Sequence, residues 1–166
     1  RGEADGLIIW HNQEREQWFS FSAVISQSEL VFYKFKKLKF DYDSLLSLTP
    51  YSIGTVANYA YSQSFLDAQY LTKDVVGTDK QNINKLLLGR IDVALIDKRM
   101  ANYIVKTEHP KYIGLFDWSA VLQSEKYYLA VSKKASDYQQ KINDFNLGLQ
   151  RITDNSTRAA IIKKYQ

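Results

Sequence analysis

A short phrase occurs twice in this chain, as Gly2-Glu3-Ala4-Asp5-Gly6-Leu7-Ile8-Ile9 and as Gly89-Arg90-Ile91-Asp92-Val93-Ala94-Leu95-Ile96. Each copy runs Gly, two residues, Asp, two residues and an aliphatic pair. A Gly that ends a helix feeds a tight turn, the Asp hydrogen-bonds local backbone, and an apolar run of strand length follows. Each copy therefore predicts the entry to a buried, parallel strand. Two copies predict two similar α/β lobes, and a pair of such lobes is a natural place to hold a small ligand.

At 166 residues the chain is long enough for one ordinary domain or two small lobes with a real core. No stretch is long and apolar enough to span a bilayer. Twelve Tyr, eight Phe and three Trp suit a core together with a ligand cleft that uses ring stacking and hydroxyl contacts. The net charge of +4 is a mild bias with both signs interspersed. The densest basic cluster, Lys34-Phe35-Lys36-Lys37-Leu38-Lys39-Phe40, reads as a strand emerging into a solvated turn, so no nucleic-acid partner is expected. With no cysteine there is no disulfide and no thiol chemistry. The chain opens on Arg1-Gly2 without a Met, which predicts a removed or missing N-terminus.

Along the chain, Leu30 to Phe35 and Tyr51 to Val56 read as strands, and Tyr59 to Leu66 as a helix. Thr78 or Asp79 caps a helix carrying Ile83, Leu86 and Leu87, which Gly89 stops. The strand Ile91 to Ile96 leads into a helix around Met100, Tyr103 and Ile104 that ends before Pro110. Glu125 to Ser132 is a strand, and two helices close the chain, the first with Tyr138, Ile142, Phe145 and Leu149 on one face, the second from Ser156 to Tyr165. This alternation is an α/β pattern. The second repeat copy follows strand, helix, strand and helix, whereas the first opens the chain. That asymmetry predicts a first lobe without its opening βαβα portion.

The order of motifs resembles the bacterial extracellular solute-binding proteins of family 3, the receptors of polar amino acid ABC transporters. The resemblance covers essentially the whole chain. It rests on the Gly-x-x-Asp-Gly strand, Glu14-Arg15 followed by Phe21-Ser22, the strand into the second lobe, Ile53-Gly54-Thr55, Leu88-Gly89-Arg90-Ile91-Asp92 with Asp97 at the strand end, and Tyr128-Leu129-Ala130-Val131-Ser132. It implies a two-lobed, periplasmic-binding-protein-like type II fold whose lobes are joined by two crossing hinge strands. Residues 1–30 with 127–166 would form lobe 1, here incomplete, and residues 31–126 lobe 2.

The resemblance also implies site residues. Arg15 would clamp a ligand carboxylate with its planar guanidinium, the alternative being a surface ion pair with Glu14 or Glu16. Asp97 would accept the ligand's ammonium group, and the competing reading is an N-cap for the helix that begins Lys98-Arg99. Thr55 to Tyr59 covers a turn from strand to helix, where free N–H groups favour an anion. Asn58 stands where the family commonly has Gly, and Tyr59 and Tyr61 have core staples as their plainer role. Trp10 replaces a small hydroxyl residue and either stacks on the ligand or fills the cleft wall. Ala23-Val24 replaces a polar-Pro pair.

His11 and His109 have no Ser or Cys partner identifiable from sequence and each reads as a lone surface residue. No cluster has metal-ligand spacing, and no cofactor is expected. The expected function is the periplasmic substrate-binding component of an ABC transporter, closing on a small polar solute and presenting both lobes to a membrane permease. An extracellular sensor domain of a receptor kinase or cyclase is the alternative, followed by a cyclohexadienyl-dehydratase-like enzyme. A truncated first lobe would favour a swapped or associated dimer.

Overall fold

The computed structural model describes residues 4–11, 13–59 and 61–165. Gly2 and Glu3 of the first repeat copy lie outside the described residues, as does Ala60. Strands β1 (Gly6–Trp10), β2 (Phe19–Phe21), β3 (Ser26–Phe35), β4 (Ser52–Val56), β5 (Thr72–Val76), β6 (Val93–Asp97) and β7 (Phe116–Ser132) make the sheet structure. The helices are α1 (Gln63–Asp67), α2 (Asp79–Leu87), α3 (Lys98–Glu108), α4 (Tyr138–Asp154) and α5 (Thr157–Tyr165). The chain divides into two compact units, Arg1–Ser28 with Glu125–Gln166, and Glu29–Ser124. Both β3 and β7 run without interruption across the boundary.

The larger unit is an α/β sandwich built outward from β6. That strand is antiparallel to β3, from Leu30↔Asp97 to Tyr33↔Ala94, and parallel to β4, with Ile53↔Val93 and Gly54↔Ala94. β4 is in turn parallel to β5. Side chains alternate across the pleat. Leu30, Phe32, Ile53, Val93 and Leu95 enter one core with Phe40, Leu48, Tyr61, Phe65 and Leu71. Val31, Tyr33, Ala94 and Ile96 enter the other, under Ile83 and Leu86 of α2 and Ala101, Ile104 and Val105 of α3. An uninterrupted apolar run is what a strand covered on both faces requires, and the second repeat copy supplies it.

Local signals place the helices. Thr78 closes a capping box, its hydroxyl accepting from Gln81 N at 3.3 Å while Gln81 Oε1 accepts from Thr78 N at 3.1 Å. At the other end of α2, Gly89 (φ +64°) makes a Schellman turn, with Arg90 N donating to Lys85 O at 2.9 Å and Gly89 N to Leu86 O at 3.1 Å. The repeat's aspartate then does something other than the local bond expected of it. Asp92 Oδ2 accepts from Ser52 N at 2.8 Å and Ser52 Oγ at 2.6 Å, and so clasps the start of β4. The corresponding Asp5 accepts from Lys141 Nζ of α4 at 2.6 Å.

In the smaller unit the last part of β7 lies between two antiparallel partners, β1 (Gly6↔Val131 to Trp10↔Tyr127) and β2 (Phe19↔Ser132 to Phe21↔Ala130). α4 packs on β2, with Ile142 buried and Asn146 Oδ1 accepting from Ala23 N at 2.8 Å. Ala23 thus finds a tertiary anchor where the polar-Pro turn was missing. The first repeat copy departs from expectation in two respects. β1 is antiparallel rather than parallel, and Leu7 and Ile8 are 43% and 56% exposed rather than buried. Among the described residues, β1 pairs with β7 alone, and its apolar pattern reports a strand without specifying its partner.

Other boundaries shift for physical reasons. β7 begins at Phe116 rather than Glu125, because Phe116 stacks on Tyr33 and Phe35 with ring centroids 5.1 and 4.5 Å away. The basic cluster does leave β3 for a turn, except that Lys34 is buried and donates to Leu38 O at 3.0 Å. α1 is confined to Gln63–Asp67, so Tyr59 precedes it.

Gly54 marks the tightest packing in the larger unit. A Cβ there would lie 2.5 Å from both Asn82 Oδ1 and Ile91 Cδ1. Gly54→Ala is therefore expected to lower unfolding free energy by about 1–3 kcal/mol, read from the urea midpoint, as overpacking does. An unchanged midpoint would contradict this close approach of α2 to β4.

Candidate functional site

The expected ligand contacts fall into two groups, one in each unit. In the larger unit they gather at the carboxyl ends of β4 and β6, the edge where open α/β sheets bind ligands. Asp97 is the last residue of β6 and caps α3, its Oδ1 accepting from Arg99 N at 2.8 Å and Met100 N at 2.9 Å. The N-cap reading of Asp97 is therefore met, and it orients the carboxylate at the strand end. Lys98 turns its ammonium over the Trp118 ring, 3.7 Å from the centroid.

Asp79, in the first turn of α2, was read in the sequence only as a candidate cap. Burial pushes its carboxyl above the ordinary value, and the negative charge of Asp97 pushes it the same way. The two carboxylates are thus close enough to repel. The phenol of Tyr61 is also raised, to about 12, first by burial and to a smaller extent by Asp79's charge, against the pull of the Val56 N–H.

Asn58 does adopt the left-handed conformation, at φ 61°. Three amides near it among the described residues are engaged: Val56 N donates to Tyr61 Oη at 2.8 Å, Ala57 N to Val76 O at 2.8 Å and Tyr59 N to Val56 O at 3.4 Å. A five-residue helix starting at Gln63 supplies no dipole at this turn. Thr55 is 3% exposed, with its hydroxyl turned to Asp74 O at 3.5 Å. Tyr59 stacks on Tyr61 at 5.5 Å and remains 38% exposed, so it is not a core staple. Tyr61 itself is buried against Phe65, at 5.5 Å.

In the smaller unit Trp10 and Arg15 are brought together. Arg15 Nη1 donates to Trp10 O at 2.8 Å, and its guanidinium lies 4.8 Å from the Trp10 ring centroid. Trp10 meets Tyr127 edge-on at 6.5 Å. His11 is not a lone histidine. It packs on Phe21 at 4.8 Å and Tyr128 at 6.0 Å, with Nε2 2.6 Å from Glu16 Oε1. His109, also expected at the surface, is half-buried at the end of α3 and edge-on to Tyr112 at 6.5 Å. Among the described residues no group of His, Cys, Asp or Glu has the arrangement of a metal site.

These features define the class: the chain has the type II periplasmic-binding-protein fold. It is similar to a mutant of ArgBP from T. maritima, at 20% identity and a TM-score of 0.70, over 95% of this chain and 66% of that one. It is also similar to the second substrate binding domain of a putative amino acid ABC transporter from Streptococcus pneumoniae, at 22% identity and a TM-score of 0.72, over 99% and 73% of the two chains. A histidine kinase sensor domain with similarity to periplasmic binding proteins matches at 16% identity and a TM-score of 0.71, over 99% and 70%. The chain thus spans about two thirds of the length of the first of these structures. By sequence, no family model and no curated protein matches it.

The buried Asp79 carboxyl gives a pH prediction. Because its folded-state value is raised, the folded protein gains stability from this group only below the ordinary carboxylate value, and loses it as pH rises through the raised value. Asp79→Asn is therefore expected to melt higher than the parent protein at pH 7. The gap should narrow as the pH falls into the carboxylate range. A lower melting temperature at pH 7 would show that ionised Asp79 stabilises α2.

Proposed function

We propose that this chain is the solute-binding part of an ABC-type transporter. It binds a small polar, amino-acid-like solute and delivers it to a membrane permease from the periplasmic or extracellular side. The observation that carries this reading is the placement of Asp97 at the carboxyl end of β6. A carboxylate held there by two backbone amides is pre-organised to accept an ammonium group. Support comes from the fold shared with amino acid transporter binding proteins. No helix among the described residues is long and apolar enough to cross a membrane.

Arg15 serves as the carboxylate contact from the smaller unit, with Trp10 beside it as a stacking surface, and the two units close by hinge motion on the solute. Closure follows if the solute has higher affinity for the closed state. The chain acts by binding, without catalysis. A second reading, a ligand-sensing domain of a signalling receptor, is favoured by the likeness to the histidine kinase sensor domain. The two readings share the binding step and differ in what the closed state contacts.

A thermal-shift screen of the full-length protein against amino acids, amines and small carboxylates tests the binding step. A ligand at a hundred times its Kd stabilises the folded state by about 2.7 kcal/mol. The expected result is a hit that Arg15→Ala weakens and Asp97→Asn abolishes. Asn caps a helix about as well as Asp, so the second variant removes the charge while keeping α3. A hit unaffected by Asp97→Asn would contradict the proposed role of that carboxylate.

A further inference from the structure

The densest basic stretch of the chain, Lys34 to Lys39, lies outside the solute site proposed above, and the fold joins it to a second exposed segment. β3 ends at Phe35 and the chain turns through Lys36 and Lys37, both exposed. Lys36 N donates to Leu115 O at 2.9 Å, which ties this turn to the loop ahead of β7. That loop presents Lys111, also exposed, together with Ile113 at 58% and Leu115 at 49% exposure. Its shape is set by the backbone. Tyr112 N donates to His109 O at 2.9 Å, Ile113 N to Pro110 O at 3.2 Å and Leu115 N to Tyr112 O at 3.1 Å, while Gly114 takes φ +82°. Two aliphatic side chains are thus held out in water by a fixed turn.

The cations beside them are not neutralised. Lys37 Nζ lies 5.3 Å from the centroid of Phe35, which stacks on Phe116 at 4.5 Å, and Lys111 Nζ lies 5.0 Å from the centroid of Tyr112. These three rings belong to one core cluster, so both ammonium groups flank the same aromatic base. Among the described residues the lysine ion pairs are those of Lys80, Lys85 and Lys141, and none involves Lys36, Lys37 or Lys111. The carboxylate that follows the loop, Asp117, accepts from Trp118 N at 2.8 Å. Strand register fixes where the patch lies. Asp97 is opposite Leu30 and Ala94 is opposite Tyr33, so Lys36 projects past the amino end of β6. At about 3.4 Å per residue, it stands on the order of 20 Å along β3 from the level of Asp97.

We infer that this face of the larger unit is a membrane-surface contact: Lys36, Lys37 and Lys111 engage the headgroups of anionic phospholipids while Ile113 and Leu115 enter the interface between them. Lysines near a negative bilayer surface are attracted to it, and aliphatic side chains gain by leaving water for the acyl boundary. A nucleic acid would attract the same cations, but single strands are gripped by stacking on open rings. Here Phe35 and Phe116 stack on each other, and the exposed apolar side chains are aliphatic. The inference goes beyond solute binding and does not depend on the solute. Its distance from Asp97 leaves the carboxyl end of β6 clear while the patch rests on a bilayer.

The test is flotation of the full-length protein with vesicles of phosphatidylcholine alone, or with about a third of the lipid replaced by phosphatidylglycerol. Flotation is expected with the anionic vesicles, weakened by raised salt, and absent with the neutral ones. Lys36→Gln, Lys37→Gln and Lys111→Gln together are expected to raise the lipid needed for half-binding on the order of a hundredfold, about fivefold per lysine. A control carrying Arg90→Gln, Lys134→Gln and Lys163→Gln loses the same charge from exposed positions elsewhere and is expected to stay within about twofold of the parent. Ile113→Ser with Leu115→Ser is expected to weaken binding on the order of tenfold. None of these side chains is buried, and an unchanged melting temperature checks that each variant folds. No flotation with anionic vesicles, or equal flotation with neutral ones, overturns the inference. A patch variant that binds like the control overturns the role of the three lysines, and a serine variant that binds like the parent overturns insertion of the loop tip. Binding to a single-stranded oligonucleotide in place of vesicles, lost with the same three lysines, overturns the lipid partner in favour of nucleic acid.

Discussion

The burial of β6 on both faces is the constraint on which the larger unit depends. Val93 to Ile96 are held between an antiparallel and a parallel neighbour, with an apolar layer on each side. Such a strand has no freedom to slip, because a shift of one residue would exchange the two cores. Its carboxyl end is therefore a fixed point, and Asp97 emerges there already committed to the first turn of α3. The clasp between Asp92 and Ser52 fixes the neighbouring β4 at its start, so the carboxyl ends of both strands are positioned by the same packing.

On that edge Asp97 places a carboxylate, and the amides of Val56, Ala57 and Tyr59 are engaged within the protein. Asp97 and Asp79 bring negative charge to the ends of β6 and α2, while the amides after β4 close on a phenol and on carbonyl oxygens. The balance differs from an anion-binding turn at a helix start, where N–H groups and dipole act together.

Much of the larger unit was legible in the sequence because its signals are local. Gly89 ends α2 through a Schellman turn, Thr78 starts it through a capping box, and Asp97 caps α3. Asn58 takes the left-handed conformation its residue type permits. What was not legible depends on distant partners. β1 carries the same pattern as β6, yet pairs antiparallel with a strand near the far end of the chain and remains half-exposed. Asp92 reaches Ser52 rather than its own turn, and the Tyr61 hydroxyl reaches back to Val56. Periodicity reports the propensity of a segment but not its partner, and no spacing in the sequence foretold that a tyrosine would close the turn expected to bind an anion.

The most direct test of the binding account is an amide-resolved NMR titration of the full-length protein with agmatine and arginine. The account predicts that shifts concentrate at Asp97, Arg99 and Met100, at the turn after β4, and at Arg15. Shifts confined to other surfaces, or none at saturating solute, would contradict it.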